Sequence, residues 1–177
     1  MIEIYTDGSS APKTTLAAGW SFAIHPLKEG MPWNVYFGHL PPPSTNNIAE
    51  MTAVLNAMKL LYHFSNNGSR QVPPSVIKSD SQYALGGLLE WRSKWEYQGM
   101  PEKNVELWLE MFRVHDLLKP ICDLKFQKVK GHSGIVGNEL ADVWCGHGKR
   151  DSTLSLNNNR VVTTKVTGEF LAYMQSK

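Results

Sequence analysis

Asp7 and Asp80 each follow a short β-branched run. Ile2-Glu3-Ile4-Tyr5-Thr6 stops at Asp7-Gly8-Ser9, and Val76-Ile77-Lys78-Ser79, after Pro73-Pro74, stops at Asp80-Ser81-Gln82. Alternation followed by turn-forming residues reads as two strands with an Asp at each carboxyl end. If the strands are parallel neighbours joined by a right-handed helical crossover, both carboxylates meet at the edge where open α/β sheets hold ligands. A helix N-cap or an Asx-turn accounts for either Asp taken alone. Glu50 reaches the same edge from a helix. The segment from Thr45 to Leu61 follows Pro41-Pro42-Pro43, opens on capping residues and continues in strong helix formers. Glu50 shares a stripe with Val54, Ala57 and Leu61, which argues against a merely dipole-favoured surface acid. Asp142 falls inside a final helix, where Asp has poor propensity and invites an explanation. His132 lies in the Gly-rich loop before it, Lys130-Gly131-His132-Ser133-Gly134.

Carboxylates gathered at one edge demand a counter-charge, because two of them about 4 Å apart repel by roughly 4 kcal/mol at an effective dielectric near 20. Hard oxygen donors suit Mg²⁺ or Mn²⁺ better than zinc.

The elements that must position these groups read as one α/β domain. Ala17 to His25 and Asn34 to His39 form two strands around a turn with Pro26 and Gly30; Leu124 to Val129 form another before the His132 loop. A helical pattern containing Tyr83, Ala84, Leu88 and Leu89 starts after Asp80. Trp91 and Trp95, four apart with Arg92 and Lys94 interleaved, are either core aromatics or the wall of a nucleic-acid channel, and the interleaved charges favour the channel. A chain of 177 residues with net charge +2 gives little support to general polyanion binding. Cys122 and Cys145 are too few for a disulfide framework, and a zinc cluster of Cys145, His147 and His132 is less favoured than a buried thiol. No apolar run near eighteen residues and no signal peptide appear, so a soluble cytoplasmic protein is expected. Residues 151–177 begin polar and loop-like, then carry a strand-like run at Val161 to Val166 and a short helical stretch from Thr167 to Met174.

Four motifs, taken together, resemble the type 1, cellular ribonuclease H family: Tyr5-Thr6-Asp7-Gly8-Ser9, Thr45-Asn46-Asn47-Ile48-Ala49-Glu50, Ser79-Asp80-Ser81-Gln82-Tyr83, and Gly131-His132-Ser133-Gly134 with Asn138-Glu139-Leu140-Ala141-Asp142. The resemblance implies a catalytic domain over 1–150 and a C-terminal extension over 151–177. Its fold would be a mixed five-stranded sheet, an antiparallel meander plus parallel strands, flanked by helices. It implies an endoribonuclease that hydrolyses the RNA strand of RNA–DNA hybrids, leaving 5′-phosphate and 3′-hydroxyl ends. Asp7, Glu50, Asp80 and Asp142 would hold two Mg²⁺ ions, or Mn²⁺, that clamp the attacking and leaving oxygens. His132 would assist proton transfer or product and metal release. Asn46, Asn47 and Gln82, with Ser9 nearby, would sense the 2′-hydroxyl, and Thr45 would hold a DNA phosphate. The family's default is a monomer without an organic cofactor.

Two departures stand out. The usual Gly-rich stretch after the first motif is here Ser10 to Leu16, with no counterpart to a phosphate-facing Asn. The region 91–119, where relatives carry a basic handle, has five Lys or Arg against five Asp or Glu, which predicts weaker hybrid binding. The rival readings are another two-metal nuclease or strand-transfer enzyme on the same fold, and a non-catalytic hybrid-binding relative.

Overall fold

The computed structural model describes residues 1–154 and 160–164. Strands β1 (Ile2–Ser10), β2 (Ala18–Ile24) and β3 (Trp33–Leu40) form the expected antiparallel meander, with Tyr5 opposite Ala23 and Phe22 opposite Tyr36. Strand β4 (Val72–Ser79) runs parallel to β1 on its other side, and β5 (Cys122–Lys128) runs parallel to β4. The five expected strands are joined by a sixth, β6 (Arg160–Thr164), which pairs antiparallel with β3 and gives the order β5-β4-β1-β2-β3-β6. Part of the segment beyond residue 150 therefore covers the outer edge of the meander, satisfying backbone groups that an open edge would leave for another chain. The short helical stretch expected from Thr167 to Met174 lies outside the described residues.

Two strand boundaries differ from the sequence reading. β4 begins earlier and takes in Pro73 and Pro74. Its register with β5 shifts between Val72 and Ser75, and its pairing with β1 starts only at Ser75, so neither proline has to donate a ladder hydrogen bond. β1 continues past Asp7, which lies within the strand rather than at its end. Pairing with β2 runs on to Ser10 opposite Ala18, whereas pairing with β4 stops at Thr6 opposite Ser79. Asp7 and Asp80 are thus the first residues beyond the parallel ladder. The juxtaposition expected of two strand ends survives because β4 alone departs.

Helix α1 (Asn46–Phe64) packs on β1, β2 and β4, and its outer side is covered by α4 (Val105–Leu118). Covered on both sides, α1 buries Ala49, Met51, Ala53, Val54, Leu55, Ala57, Met58 and Leu61. Between them, α2 (Gln82–Gly86) and α3 (Arg92–Gln98) are separated by one wide π-helical turn at Gly87–Trp91. Helix α5 (Val136–Arg150) packs on β1, β2 and β3. Its side is opposite to that of α1. A Cβ at Gly8 would lie 2.4 Å from the α1 backbone at Ala49 and Glu50, while a Cβ at Gly137 of α5 would meet the Tyr5 ring, and adjacent strand residues face opposite sides. The larger core, between the sheet and α1 and α4, holds fully buried Trp20, Phe22, Met58, Ile77, Trp108 and Met111. Each such side chain contributes roughly 1.5–3 kcal/mol by leaving water. A smaller cluster of Tyr5, Ala23, Trp33, Val35 and Leu140 lies beneath α5.

The close approach at Gly8 fixes where α1 carries Glu50. Gly8→Ala should therefore destabilise the chain by about 3 kcal/mol, because the obstructing atoms are backbone and cannot swing aside. Urea denaturation checks this, and a loss below about 0.5 kcal/mol would contradict it.

Candidate active site

The four carboxylates arrive from four separate elements. Asp7 comes from β1, Glu50 from the second turn of α1, Asp80 from the turn after β4, and Asp142 from the second turn of α5. Oxygens of Asp7, Glu50 and Asp80 lie within 4.8 Å of one another, and Asp7 and Asp142 approach within the same limit. Asp7 is buried, and Glu50, Asp80 and Asp142 are half-buried, the Asp142 side chain 38% exposed. They open on a polar cleft of about 470 Å³ lined also by Gly8, Ser9, Asn46, Asn47, Ser81, Gln82, Tyr83 and His132.

Local capping leaves the acids free. The alternative for Asp80, a helix N-cap, is taken by Ser81, whose hydroxyl accepts from the Ala84 amide at 3.1 Å. Thr45 caps α1 by accepting from the Ile48 amide at 3.1 Å, so Asn46 and Asn47 are not caps and lie exposed on the first turn. Thr45 spends an oxygen lone pair on this bond and keeps its hydroxyl proton for another partner. Ser10 donates to Asn46 Oδ1 at 2.8 Å, and Gln82, the first residue of α2, reaches the same wall.

Electrostatics mark the site as unstable without compensation. Burial raises the Asp7 carboxyl far above its usual range, and the neighbouring Asp80 and Asp142 raise it further. Glu50 is raised by burial and then by Asp7 and Asp80; Asp80 is raised by burial, against an opposing pull from His132. Glu50 Oε2 and Asp80 Oδ1 are buried without a hydrogen-bond partner. Orphaned carboxylate oxygens, converging and all hard, are what a divalent cation with oxygen preference satisfies. The residues present fit such an ion. Cys145 also approaches Asp7 and Asp142, but its thiol donates to the Asp142 carbonyl at 3.1 Å and burial pushes its pKa well up, so it behaves as a buried thiol. Among the described residues no metal-ligand grouping joins it to His147 or His132.

His132 is exposed, takes a positive φ of 55°, and holds Nδ1 3.7 Å from Asp142 Oδ2. The loop that carries it is tied down by Glu139, a buried acid whose Oε1 accepts from the Gly134 amide at 3.2 Å. The sequence reading missed Glu139, although its position three residues before Asp142, one helical turn away, was the available signal. It also missed Tyr83, whose hydroxyl accepts from Trp108 Nε1 at 3.3 Å and Asn104 Nδ2 at 3.2 Å, linking the cleft to the aromatic core.

Trp91 and Trp95 are not among the residues lining the cleft. They pack on each other, and Trp95 also on Trp108 and Phe112, while Trp91 meets Tyr83. Arg92 does not stand free beside them: it forks onto Asp116, bonds Glu96 and lies over the Phe112 ring. Arg113 is likewise bound to Glu110, and Lys119 to Asp116.

The sheet order, with Asp7 and Asp80 just beyond the parallel ladder and Glu50 and Asp142 brought to them by α1 and α5, defines an α/β fold with an acidic centre whose oxygens suit a divalent cation. The chain belongs to the ribonuclease H family, whose RNase H description matches residues 1–150. It is 30% identical over 154 residues to the ribonuclease H of Bordetella avium, covering 84% of this chain and 90% of that one. It is 34% identical to that of Hyphomonas neptunium, covering 80% and 87%. In fold it is similar to LC9-RNase H1, described as a type 1 RNase H with the type 2 active-site motif, with a TM-score of 0.72 at 18% identity, covering 98% of this chain and 84% of that chain. The family is metal-dependent and acts on RNA–DNA hybrids. Among the described residues no helix is long and apolar enough to cross a membrane.

Proposed function

We propose that this chain is an endoribonuclease that hydrolyses the RNA strand of RNA–DNA hybrids with Mg²⁺ or Mn²⁺, leaving 5′-phosphate and 3′-hydroxyl ends. The observation that carries the reading is the convergence of Asp7, Glu50, Asp80 and Asp142 on a cleft whose adjacent wall is made of Asn46, Asn47 and Gln82. Two divalent ions, when bound by these carboxylates, would supply activation of water and neutralisation of the departing 3′ oxygen. The chain's own groups do the rest. Asp7, Glu50 and Asp80 concentrate negative charge in a partly desolvated site. The amide side chains at the amino end of α1 and α2 carry donors and acceptors suited to a 2′-hydroxyl, the group that separates RNA from DNA. His132, exposed at the mouth beside Asp142, would carry a proton between the cleft and solvent through its ring nitrogens, or ease release of product and metal. In this reading residues 1–150 form the catalytic domain, 151–177 an extension that lends β6 to the sheet, and the enzyme works as a cytoplasmic monomer.

The test is cleavage of one labelled sequence presented as RNA–DNA hybrid, duplex RNA, duplex DNA and single strands, with Mg²⁺ or Mn²⁺. Cutting confined to the RNA of the hybrid is the expected result. Cutting of duplex DNA would replace this reading with a strand-transfer nuclease, and tight hybrid binding without cutting would replace it with a binding module.

A further inference from the structure

Lys149 lies seven residues beyond Asp142 on α5, a spacing that returns it to nearly the same helix face about 10 Å further along. Its ammonium donates to Ser9 Oγ at 3.0 Å. Ser9 follows Asp7 by two residues, shares its side of β1, and lines the cleft. The acidic centre and this lysine therefore lie along one line, set by β1 and α5 together.

Its charge is differently disposed from that of the cations held in ion pairs. Lys59, Lys78, Arg92, Arg113 and Lys119 each pair with a carboxylate, and so cannot offer a full charge to an incoming polyanion. Among the described residues Lys149 pairs with no carboxylate; its partner is a neutral hydroxyl, which leaves ammonium protons for a further acceptor. Ser9 fixes the side chain in place, reducing the rotamer entropy lost when it meets that acceptor.

We infer that Lys149, oriented by Ser9, is a binding residue for a phosphate of the strand being cut, beside the scissile one. This rests on the proposed function and deepens it. The α5 wall would grip the RNA backbone by charge, while the α1 wall, where Ser10 bonds Asn46, senses the sugar. A lysine in the last turn of a helix also offsets the helix dipole, a structural role that predicts a change in stability rather than in salt dependence.

The experiment measures binding of a fluorescein-labelled hybrid by anisotropy over a series of KCl concentrations at fixed Mg²⁺, in the Asp7→Asn background so that nothing is cut. Lys149→Gln should weaken binding roughly three- to tenfold and make the slope of log affinity against log salt shallower by about 0.7–0.9, the value of one phosphate contact. Lys149→Arg should retain both, and the Tm of either variant should stay within about 2 °C of its parent. An unchanged affinity and slope in Lys149→Gln would overturn the inference, as would weaker binding with an unchanged slope. Cleavage by the chain with Lys149 in place is read separately. Failure there, with the slope change present, would sink the ribonuclease reading and leave the phosphate contact standing; cleavage with no slope change would sink only the contact.

Discussion

Asp7→Asn should lower hybrid cleavage by more than about 10³-fold, several kcal/mol of barrier, and at the same time make the metal-free protein more stable. The two effects have one origin. Asp7 is buried among acids that raise its pKa to about 8, through burial first and then Asp80 and Asp142. A carboxylate whose folded pKa is raised binds protons more tightly folded than unfolded. Its contribution to stability is therefore greatest below the ordinary carboxylate pKa and is lost as pH rises from about 4 towards about 8. Asparagine keeps an oxygen for the Gly8 amide, which now bonds Asp7 Oδ1 at 2.9 Å, and carries no charge to repel Glu50 or Asp80. A gain on the order of 2 kcal/mol is expected near neutral pH, or about 4–8 °C in Tm for a chain of this size. Thermal unfolding in chelator, beside a cleavage assay in Mg²⁺, measures both. An inactive variant that is also less stable would show that Asp7 serves the fold rather than the site.

Metal affinity should be steeply pH-dependent. Because the empty site holds protons that an ion must displace, each proton released tightens binding by up to tenfold per pH unit below the folded pKa. Asp7 and Glu50 are both raised, by burial first and by their acidic neighbours next, so the dependence extends through neutrality rather than ending in the usual carboxylate range. With one proton displaced, Mn²⁺ binding should tighten about a hundredfold between pH 6 and pH 8. Titration calorimetry in buffers of different ionisation enthalpy counts the protons directly. With metal bound the two effects cancel: the tighter binding at higher pH offsets the stability lost by the metal-free protein, so metal-saturated protein should hold a nearly constant Tm over the range in which metal-free protein loses it. An affinity that is flat across this range would mean that the carboxylates are already ionised, and that the site is more solvated than its orphaned oxygens indicate.

The strands and helices that carry the acids were legible locally. Alternation marked β1 and its partners, Thr45 and the helix formers after it marked α1, and the apolar stripe through Glu50 marked the face turned to the sheet. The boundaries were less so. The sequence reading began β4 only after Pro73-Pro74, because the absence of a β1 partner at that level is a property of the neighbour and not of Pro73 or Pro74. Likewise the turn signal after Thr6 was real, yet β2 held the backbone extended as far as Ser10.

Residue type and spacing determined which groups were available: four carboxylates, a loop histidine and amide side chains, each in a motif whose local structure follows from a few neighbours. Their roles were decided in three dimensions. Trp91 and Trp95 stand on a helical face that suits a channel wall as well as a core, and only their packing against Tyr83, Trp108 and Phe112 shows which partners they meet. Arg92 reads as a free cation until Asp116, distant in the chain, is seen to neutralise it. Glu139 and Lys149 carried no local signal strong enough to single them out. Glu139 braces the His132 loop through a bond only five residues away, whereas Lys149 became a neighbour of Ser9 because α5 crosses β1 where it does. Local propensity acts over a few residues, so the sequence by itself determined the inventory; burial, repulsion and pairing depend on groups brought together from far apart, and these only the tertiary structure decided.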